Sequence, residues 1–493
     1  MNERAQASQE GIMNMRQRSL TIGLALIATA TTGTTLFAEG TNAPLAGNVD
    51  EKIEQLDQEI RVLKQQRELD REQAQQQANQ AAQKAKQTPI VTAGPDGFAL
   101  KSADGNFVLR LRGYAQADGR FFLYNDARNG TDTFLMRRVR PILEGTVYRD
   151  FDFRIMTDFG NGASSSSLLQ DAYVEWHYWL WLRVRAGKYK VPVGLEWLQQ
   201  GAWTPFAERG LPTDLVPQRD VGVQLSGDLF GGVVSYAVGV FNGVVDGGTA
   251  DLDSWNSKDG AARIFIQPFK TMDINPLKGL GFGAGGSIGN QQFTSTTTNL
   301  ASYKTTGQNT FFSFAKGTAP DGLEYRLAPQ GYYYWGPVGF LGEYTLAEQK
   351  LRNGAVHEFM RNSAWQTEAS FVLTGENASY NGVTPRHPFD PKSGRWGALE
   401  IVARYGDLHL DPSAFNTSTT AAGARFANPI TAAQEAREWG VGLNWYLSRA
   451  VRLVLDYEQT DFDGGAGTTA GTSYNVKNRE TEHALFTRAQ IMF

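Results

Sequence analysis

From residue 107 onward, apolar and polar residues alternate with a period of two. In residues 107–118 one set is Phe107, Leu109, Leu111, Gly113, Ala115 and Ala117. The other is Arg110, Arg112, Tyr114, Gln116 and Asp118, joined further on by Arg120. A strand sends alternate residues to opposite faces. The same dyad recurs in residues 151–159, 221–225, 234–238, 443–447 and 453–457. In the last run Leu485, Thr487, Ala489, Ile491 and Phe493 oppose Arg488 and Gln490. Two environments fit a single strand of this kind. A soluble sandwich turns the apolar set inward, whereas a membrane barrel turns it outward to lipid and keeps charges in a wet lumen.

The chain as a whole favours the barrel. Aromatic residues crowd positions 176–181 beside a short turn, where an interfacial girdle would lie. Tight connections such as residues 447–450 alternate with long polar stretches at 245–260, 291–308, 377–395, 411–437 and 463–480. Short turns at one end and long loops at the other mark an outer-membrane barrel. A tilted spanning strand takes about 9–11 residues, so sixteen strands leave roughly 24 residues for each strand with its connection. The expected fold is therefore all-β, a 16-stranded antiparallel transmembrane β-barrel over residues 107–493.

Ahead of the barrel the period changes. Ile53, Leu56, Ile60 and Leu63 sit three and four apart, the a/d seam of two heptads, flanked by Glu, Gln, Lys and Arg. This predicts a short α-helical coiled coil within residues 39–88. Ile at a with Leu at d nominally favours two strands. Thr88-Pro89 stops the helix, and a turn-rich linker with Gly94-Pro95-Asp96-Gly97 is expected over residues 89–106. Within residues 1–38, Arg16 and Arg18 precede an apolar run at 20–30, and Ala38 follows. That order is the layout of a secretory signal peptide. The apolar run is about half of the ~20 residues that a spanning helix needs.

Composition removes several chemistries. The chain has no cysteine and five scattered histidines, so neither a thiolate nor a histidine-based metal site is expected. A formal charge of −4 argues against nucleic acid as a partner. Serine and histidine occur without the context of a nucleophile elbow, so no catalytic residues and no cofactor are expected. Charge is uneven, however. Between Arg110 and Lys190 there are thirteen Lys and Arg against nine Asp and Glu. Arg138 and Arg140 share a face with Glu144; Arg110, Arg112 and Arg120 share one with Asp118; Arg183 and Arg185 share another. Strict alternation would send Arg137 outward, so it must lie at a mouth, on a bulge, or snorkel. The stretch 194–219 is apolar for a connection, with Trp197, Leu198, Trp203, Phe206, Leu211 and three prolines. It is least costly folded into the lumen, with Gln199, Gln200, Glu208 and Arg209 facing the passage.

Five phrases, in order, carry a resemblance. Arg112-Gly113-Tyr114-Ala115-Gln116-Ala117-Asp118, Phe134-Leu135-Met136-Arg137-Arg138-Val139, Val193-Gly194-Leu195-Glu196, Leu373-Thr374-Gly375-Glu376 and Gly442-Leu443-Asn444-Trp445-Tyr446 resemble the phosphate-selective porin O/P family. The resemblance implies a trimeric, sixteen-stranded anion channel of a Gram-negative-type outer membrane, with a constriction lined by arginine and lysine. It matches the family's paired arginines to Arg137 and Arg138, and its pore aspartate to Asp171. The chain departs from the pattern at three places. Trp197 stands where the third loop carries a lysine, Tyr114 stands for a first-strand arginine, and residues 287–309 hold a single cation, Lys304. The expected function is passive diffusion of small anions, phosphate or other oxyanions, through an arginine-lined constriction. Outer-membrane lipid and two further copies of the chain are the expected partners, with the coil in the periplasm beside a cell-wall or periplasmic partner left open. A general or sugar-type diffusion porin and a tether whose coil bridges the periplasm are the alternatives.

Overall fold

The computed structural model describes residues 47–124, 130–160, 168–252, 256–292, 300–415, 426–466 and 477–493. The expected signal peptide lies outside the described residues. The chain divides into two compact units, one ending at Ala82 and the other running from Gln83 to Phe493. Helix α1 (Gly47–Gln87) dominates the first. Its seam residues Ile53, Leu56, Ile60 and Leu63 are all exposed.

In the second unit, residues 89–106, expected as a linker, carry a hairpin. Strands β1 (Ile90–Gly94) and β2 (Gly97–Lys101) flank the Pro95-Asp96 turn, and β2 adds to β3. The barrel proper begins with β3 (Val108–Leu123), β4 (Thr133–Val147), β5 (Phe151–Thr157), β6 (Leu169–Trp179) and β7 (Leu182–Lys190). It continues with β8 (Arg219–Leu229), β9 (Val234–Phe241), β10 (Asp259–Ile266) and β11 (Leu280–Gln292). A loop hairpin, β12 (Ser302–Lys304) and β13 (Thr310–Ser313), comes next. The remaining barrel strands are β14 (Thr318–Trp335), β15 (Val338–Asn353), β16 (Val356–Val372), β17 (Ala398–His409), β18 (Ala433–Tyr446), β19 (Val451–Gly464) and β20 (Glu482–Met492). Each barrel strand is antiparallel to the next, and β20 closes on β3 from His483↔Leu123 to Met492↔Tyr114. Among the described residues this is a closed barrel of sixteen strands.

Burial settles which way the pleats face. On β19, Leu453 and Leu455 are 37% and 46% exposed, whereas Arg452, Asp456 and Glu458 on the opposite face are buried. Apolar outside and ionised inside inverts a soluble core. Tight turns at residues 148–150, 180–181, 336–337 and 447–450 lie at one end, but the two-residue turn 354–355 joins β15 to β16 at the other. One long connection also breaks the expected segregation. Residues 373–397 join β16 to β17 at the end that holds most of the tight turns, because this segment folds inward instead of spreading into solvent. Ala378 and Val383 are buried, and the Tyr380 ring stacks on Tyr332 at 5.5 Å.

Arg137 resolves as a bulge. Gln116 faces Arg138 and Ala117 faces Met136, so Arg137 is the extra residue of β4. A bulge re-aims a side chain locally, and here it turns Arg137 into the lumen, where it pairs with Glu208.

The closing seam carries a buried ion pair. Arg488 on β20 lies opposite Asp118 on β3, and its Nε and Nη2 donate to the two carboxylate oxygens, each at 2.7 Å. Removing one partner of a buried pair leaves the other charge stranded, at a cost of roughly 3–5 kcal/mol. Asp118→Ala is therefore expected to lower the denaturant midpoint of the barrel, followed by tryptophan fluorescence. The double variant Asp118→Ala/Arg488→Met should recover most of the loss.

Candidate pore constriction

The connection from β7 to β8, residues 191–218, crosses the barrel interior. Its apolar side chains drive it in: Leu195, Phe206, Leu211 and Leu215 are at most 2% exposed. A buried connection is tolerable only if its main-chain groups find partners. Lumen side chains provide them from around the barrel. Gln330 on β14 donates to Val193 O at 2.7 Å, and Glu343 on β15 accepts from Leu195 N at 2.7 Å. Gln116 on β3 donates to Gly201 O at 3.0 Å and Gln490 on β20 to Ala202 O at 3.1 Å. Arg452 on β19 donates to Thr204 O at 3.0 Å, Asn444 on β18 to Pro205 O at 2.9 Å, and Arg404 on β17 to Glu208 O at 3.0 Å. Asp456 accepts from Ala207 N at 2.7 Å. The inward-folded connection 373–397 meets the loop from the other end: Tyr380 donates to Leu195 O at 2.6 Å, and Gln199 donates to Tyr380 O at 2.7 Å.

Glu208 fixes the loop electrostatically. Its carboxylate pairs with Arg137, with Arg120 at 2.8 Å and Arg138 at 3.4 Å, and lies 3.8 Å from Arg488. It sits on a connection, not on a strand. Burial works against its charge, but Arg137, Arg138 and Arg120 outweigh that penalty and hold its carboxyl well below the ordinary carboxylate range. The Arg137–Arg138 pair, expected to meet solute, instead anchors the loop. Nearby, Arg404 is ringed by Glu438 and Glu458 at 2.9 Å, Glu368 at 3.5 Å and Glu196 at 3.7 Å.

Beside the loop a cavity of about 350 Å³ remains, lined by strands β3 to β10. Its cations are Arg140, Arg154, Arg185, Lys190, Arg219 and Arg263, and Asp171 is its one carboxylate among the described residues. Asp171 is already engaged, accepting from Arg219 Nε at 2.9 Å with Arg154 Nε at 3.3 Å. Arg140 donates to Asp158 at 2.7 Å and to the Tyr114 hydroxyl at 2.8 Å. Arg185 donates to Glu175 at 2.7 Å and lies over the Tyr173 ring at 4.3 Å. Arg263 donates Nε to Gln330 at 2.9 Å. Among the described residues, no protein acceptor meets the terminal Nη groups of Arg219 or Arg263. These forks are available to a planar or tetrahedral oxyanion.

Trp197 organises this cluster. It belongs to the one-turn helix α2 (Leu195–Leu198). Lys190 caps that turn, its Nζ donating to Trp197 O at 2.7 Å, Gln199 O at 2.8 Å and Leu198 O at 3.3 Å. Arg209 donates to Gln199 O at 2.7 Å and Glu196 O at 3.1 Å. The cationic groups of Arg209, Lys190 and Arg219 stand 4.8, 5.1 and 5.3 Å from the Trp197 ring centroid. An aromatic face attracts cations, whereas an ammonium at this position would repel all three.

The expected site residues thus divide. Arg140, Arg185 and Asp171 line the cavity, while Arg120, Arg137 and Arg138 hold Glu208. Arg209, Trp197, Gln199 and Trp203 are internal to the loop, Trp203 donating to Gln200 at 3.2 Å. Arg110 and Arg112 lie toward the β1–β2 hairpin, Arg112 paired with Glu144 at 3.0 Å, and Arg183 pairs with Asp228 away from the cavity. Arg154, Lys190, Arg219 and Arg263 were missed. Arg154 alternates with Phe153 and Ile155, so its lumen face was readable; the other three depend on where the loop comes to rest.

A family model described as "Phosphate-selective porin O and P" matches residues 109–493. A curated relative, Porin O of Pseudomonas aeruginosa, is 22% identical over 413 residues, covering 76% of this chain and 87% of that protein. Among solved structures, the outer membrane channel DcaP of Acinetobacter baumannii is 12% identical with a TM-score of 0.47, covering 82% of this chain and 100% of that one. Outer-membrane expressed OmpT of Vibrio cholerae is 10% identical with a TM-score of 0.47, covering 79% of this chain and 98% of that one.

Glu208→Gln strands four guanidiniums around a neutral amide. The loop should then open more often, and hydrogen exchange at the Ala207 amide should quicken at least about tenfold. Mass-resolved exchange across residues 201–210 measures this, with β-strand peptides as the internal reference.

Proposed function

Since this chain belongs to the phosphate-selective porin O and P family and is an outer-membrane porin, we propose that it passes small anions by passive diffusion. The reading rests on one observation: the cavity beside the constriction loop is lined by six cations and a single, already paired carboxylate. A dehydrating anion in a narrow passage needs fixed positive charge at each step. Arginine suits oxyanions because its planar fork donates two parallel hydrogen bonds. Phosphate or another oxyanion would approach the free ends of Arg219 and Arg263, with Arg140, Arg154 and Arg185 extending the positive surface along the wall.

Phosphate is passed here more than it is held. The position that the family resemblance gives to a lysine is Trp197, and Lys190 spends its three protons on main-chain carbonyls. Three copies are proposed to assemble, as the resemblance implies, with the exposed seam of α1 free to bring copies together.

Planar-bilayer recordings of the purified protein in a salt gradient test the reading. An anion-selective reversal potential is expected, and cation selectivity would overturn it. Arg219→Gln/Arg263→Gln should move the anion-to-cation permeability ratio toward unity. Phosphate titrated against chloride should block only at high concentration. Block at micromolar phosphate would show that the lost lysine does not matter.

A further inference from the structure

The β12–β13 hairpin forms a strap at the long-loop end of the barrel, and one carboxyl ties it to the constriction loop. We propose that Asp214 latches this strap over the passage in acid and lets it go as the solution approaches neutrality. The latch governs how far the mouth opens and does not depend on which ions pass.

The hairpin leaves the wall between β11 and β14 and reaches β20, on another side of the barrel. There Asn309 Nδ2 donates to Glu482 at 2.8 Å, and Arg479 Nη1 donates to Thr310 O at 2.9 Å. Along the way Tyr303, Phe311 and Phe312 are fully buried in one apolar cluster with Leu211 and Leu215 of the constriction loop. The Tyr303 hydroxyl donates to Asp246 and accepts from Asn362 Nδ2, both at 3.1 Å. The strap therefore rests on the loop and is pinned to the wall around it.

Asp214 supplies the polar link between the two. It lies on the 3₁₀ turn Leu211–Leu215, and its Oδ2 accepts from the main-chain N–H of Lys304 at 2.7 Å. Lys304 is the single cation of residues 287–309. The charged groups that face Asp214 are Lys304 on β12 and Asp246 on the β9–β10 connection. Among the described residues no cation lies within ion-pair distance of it. Burial and the like charge of Asp246 push its carboxyl up to about 7, although the Lys304 N–H and ammonium pull the other way.

The sign of the effect follows from proton count. A lifted strap returns Asp214 to water and to an ordinary carboxylate pKa of about 4. Between that value and about 7 the latched form holds a proton that the lifted form has lost. The latch is therefore at full strength in acid, weakens as the pH climbs through this window, and changes no further above it. A neutral carboxyl still accepts the Lys304 N–H, whereas an ionised one beside Asp246 gains by leaving for water.

Single-channel recordings of the purified full-length protein, taken from about pH 4 to about pH 8, read the latch directly. The ratio of time at the wider conductance level to time at the narrower one should climb by up to about tenfold per pH unit and level off above about pH 7. Asp214→Asn keeps an acceptor for Lys304 N–H and has no proton to lose, so its ratio should stay low and flat across the range. A flat profile in the natural protein, or a rising one in Asp214→Asn, would overturn the latch. Hydrogen exchange at the Lys304 amide supplies a second reading, both proteins being compared at one pH near neutrality. Exchange should be at least about tenfold slower in Asp214→Asn, and equal rates would also overturn the latch. Reversal potentials from the same recordings keep the two readings apart. Cation selectivity sinks the anion channel and leaves the latch standing, whereas dwell times that ignore pH sink the latch alone.

Discussion

A single carboxylate decides how the lumen of this barrel is divided. Glu208 is buried with Arg120, Arg137 and Arg138 around it and Arg488 at 3.8 Å. Alone, several guanidiniums at this spacing would repel one another and bear a large desolvation cost. Glu208 turns that cluster into an anchor, and because it rides on the loop, the anchor places the loop. From Glu208 the chain runs toward Arg404 and Asp456, which take its neighbouring main-chain groups. The backbone path then follows from what the wall can donate and accept.

The division has an electrostatic consequence. The side of the lumen under the loop is rich in buried acids: Glu196, Glu343, Glu368, Glu400, Glu438, Asp456 and Glu458. Loop main chain, Arg404 and Arg452 cover them. A second layer, with Tyr303, Phe311, Phe312 and Phe426, packs over the same side from the long-loop end. The segment around Tyr380 packs beneath it. What stays open is the opposite side, where arginines from β4, β5, β7, β8 and β10 converge. A chain of net charge −4 can thus present a cationic passage, because the sign seen by a solute depends on which charges are left uncovered. Low-dielectric surroundings strengthen the effect.

Much of this was readable from the residue order, and the failures have identifiable causes. The dyad pattern, the aromatic run at 176–181 and the length between turns lead to the sixteen-stranded barrel, because lipid outside imposes a rule on every strand. Arg137 breaks that rule openly, and the bulge at that position is one of the three remedies expected for it, beside a mouth position and snorkelling. By contrast, whether a lumen arginine meets solute or protein is set by the loop. Arg137 and Arg138 look like pore residues until Glu208 reaches them. Lys190 looks like another strand-end cation until α2 presents its carbonyls. The hairpin at residues 90–101 hid because Pro95 and its flanking glycines read as a linker, although they also suit a two-residue turn. Residues 373–397 hid because polarity signals a loop without saying which way it folds.

Trp197 shows why composition at a position is a poor guide to selectivity. A lysine there adds a charge to the passage, so its absence reads as weakened anion attraction. In place, the indole lies within about 5 Å of three cationic groups, Arg209, Lys190 and Arg219. It stabilises their close approach without neutralising any of them, and its own Nε1 is satisfied by Gln218 O at 2.9 Å. An acidic residue would also let the three cations gather, but it would cancel the field they produce. An ammonium would drive them apart. The aromatic face is the option that concentrates positive charge beside the passage while holding the loop turn rigid, so positive potential and a strong phosphate ligand are separable features. In this barrel the Trp197 face gathers Arg209, Lys190 and Arg219 while it packs the loop turn.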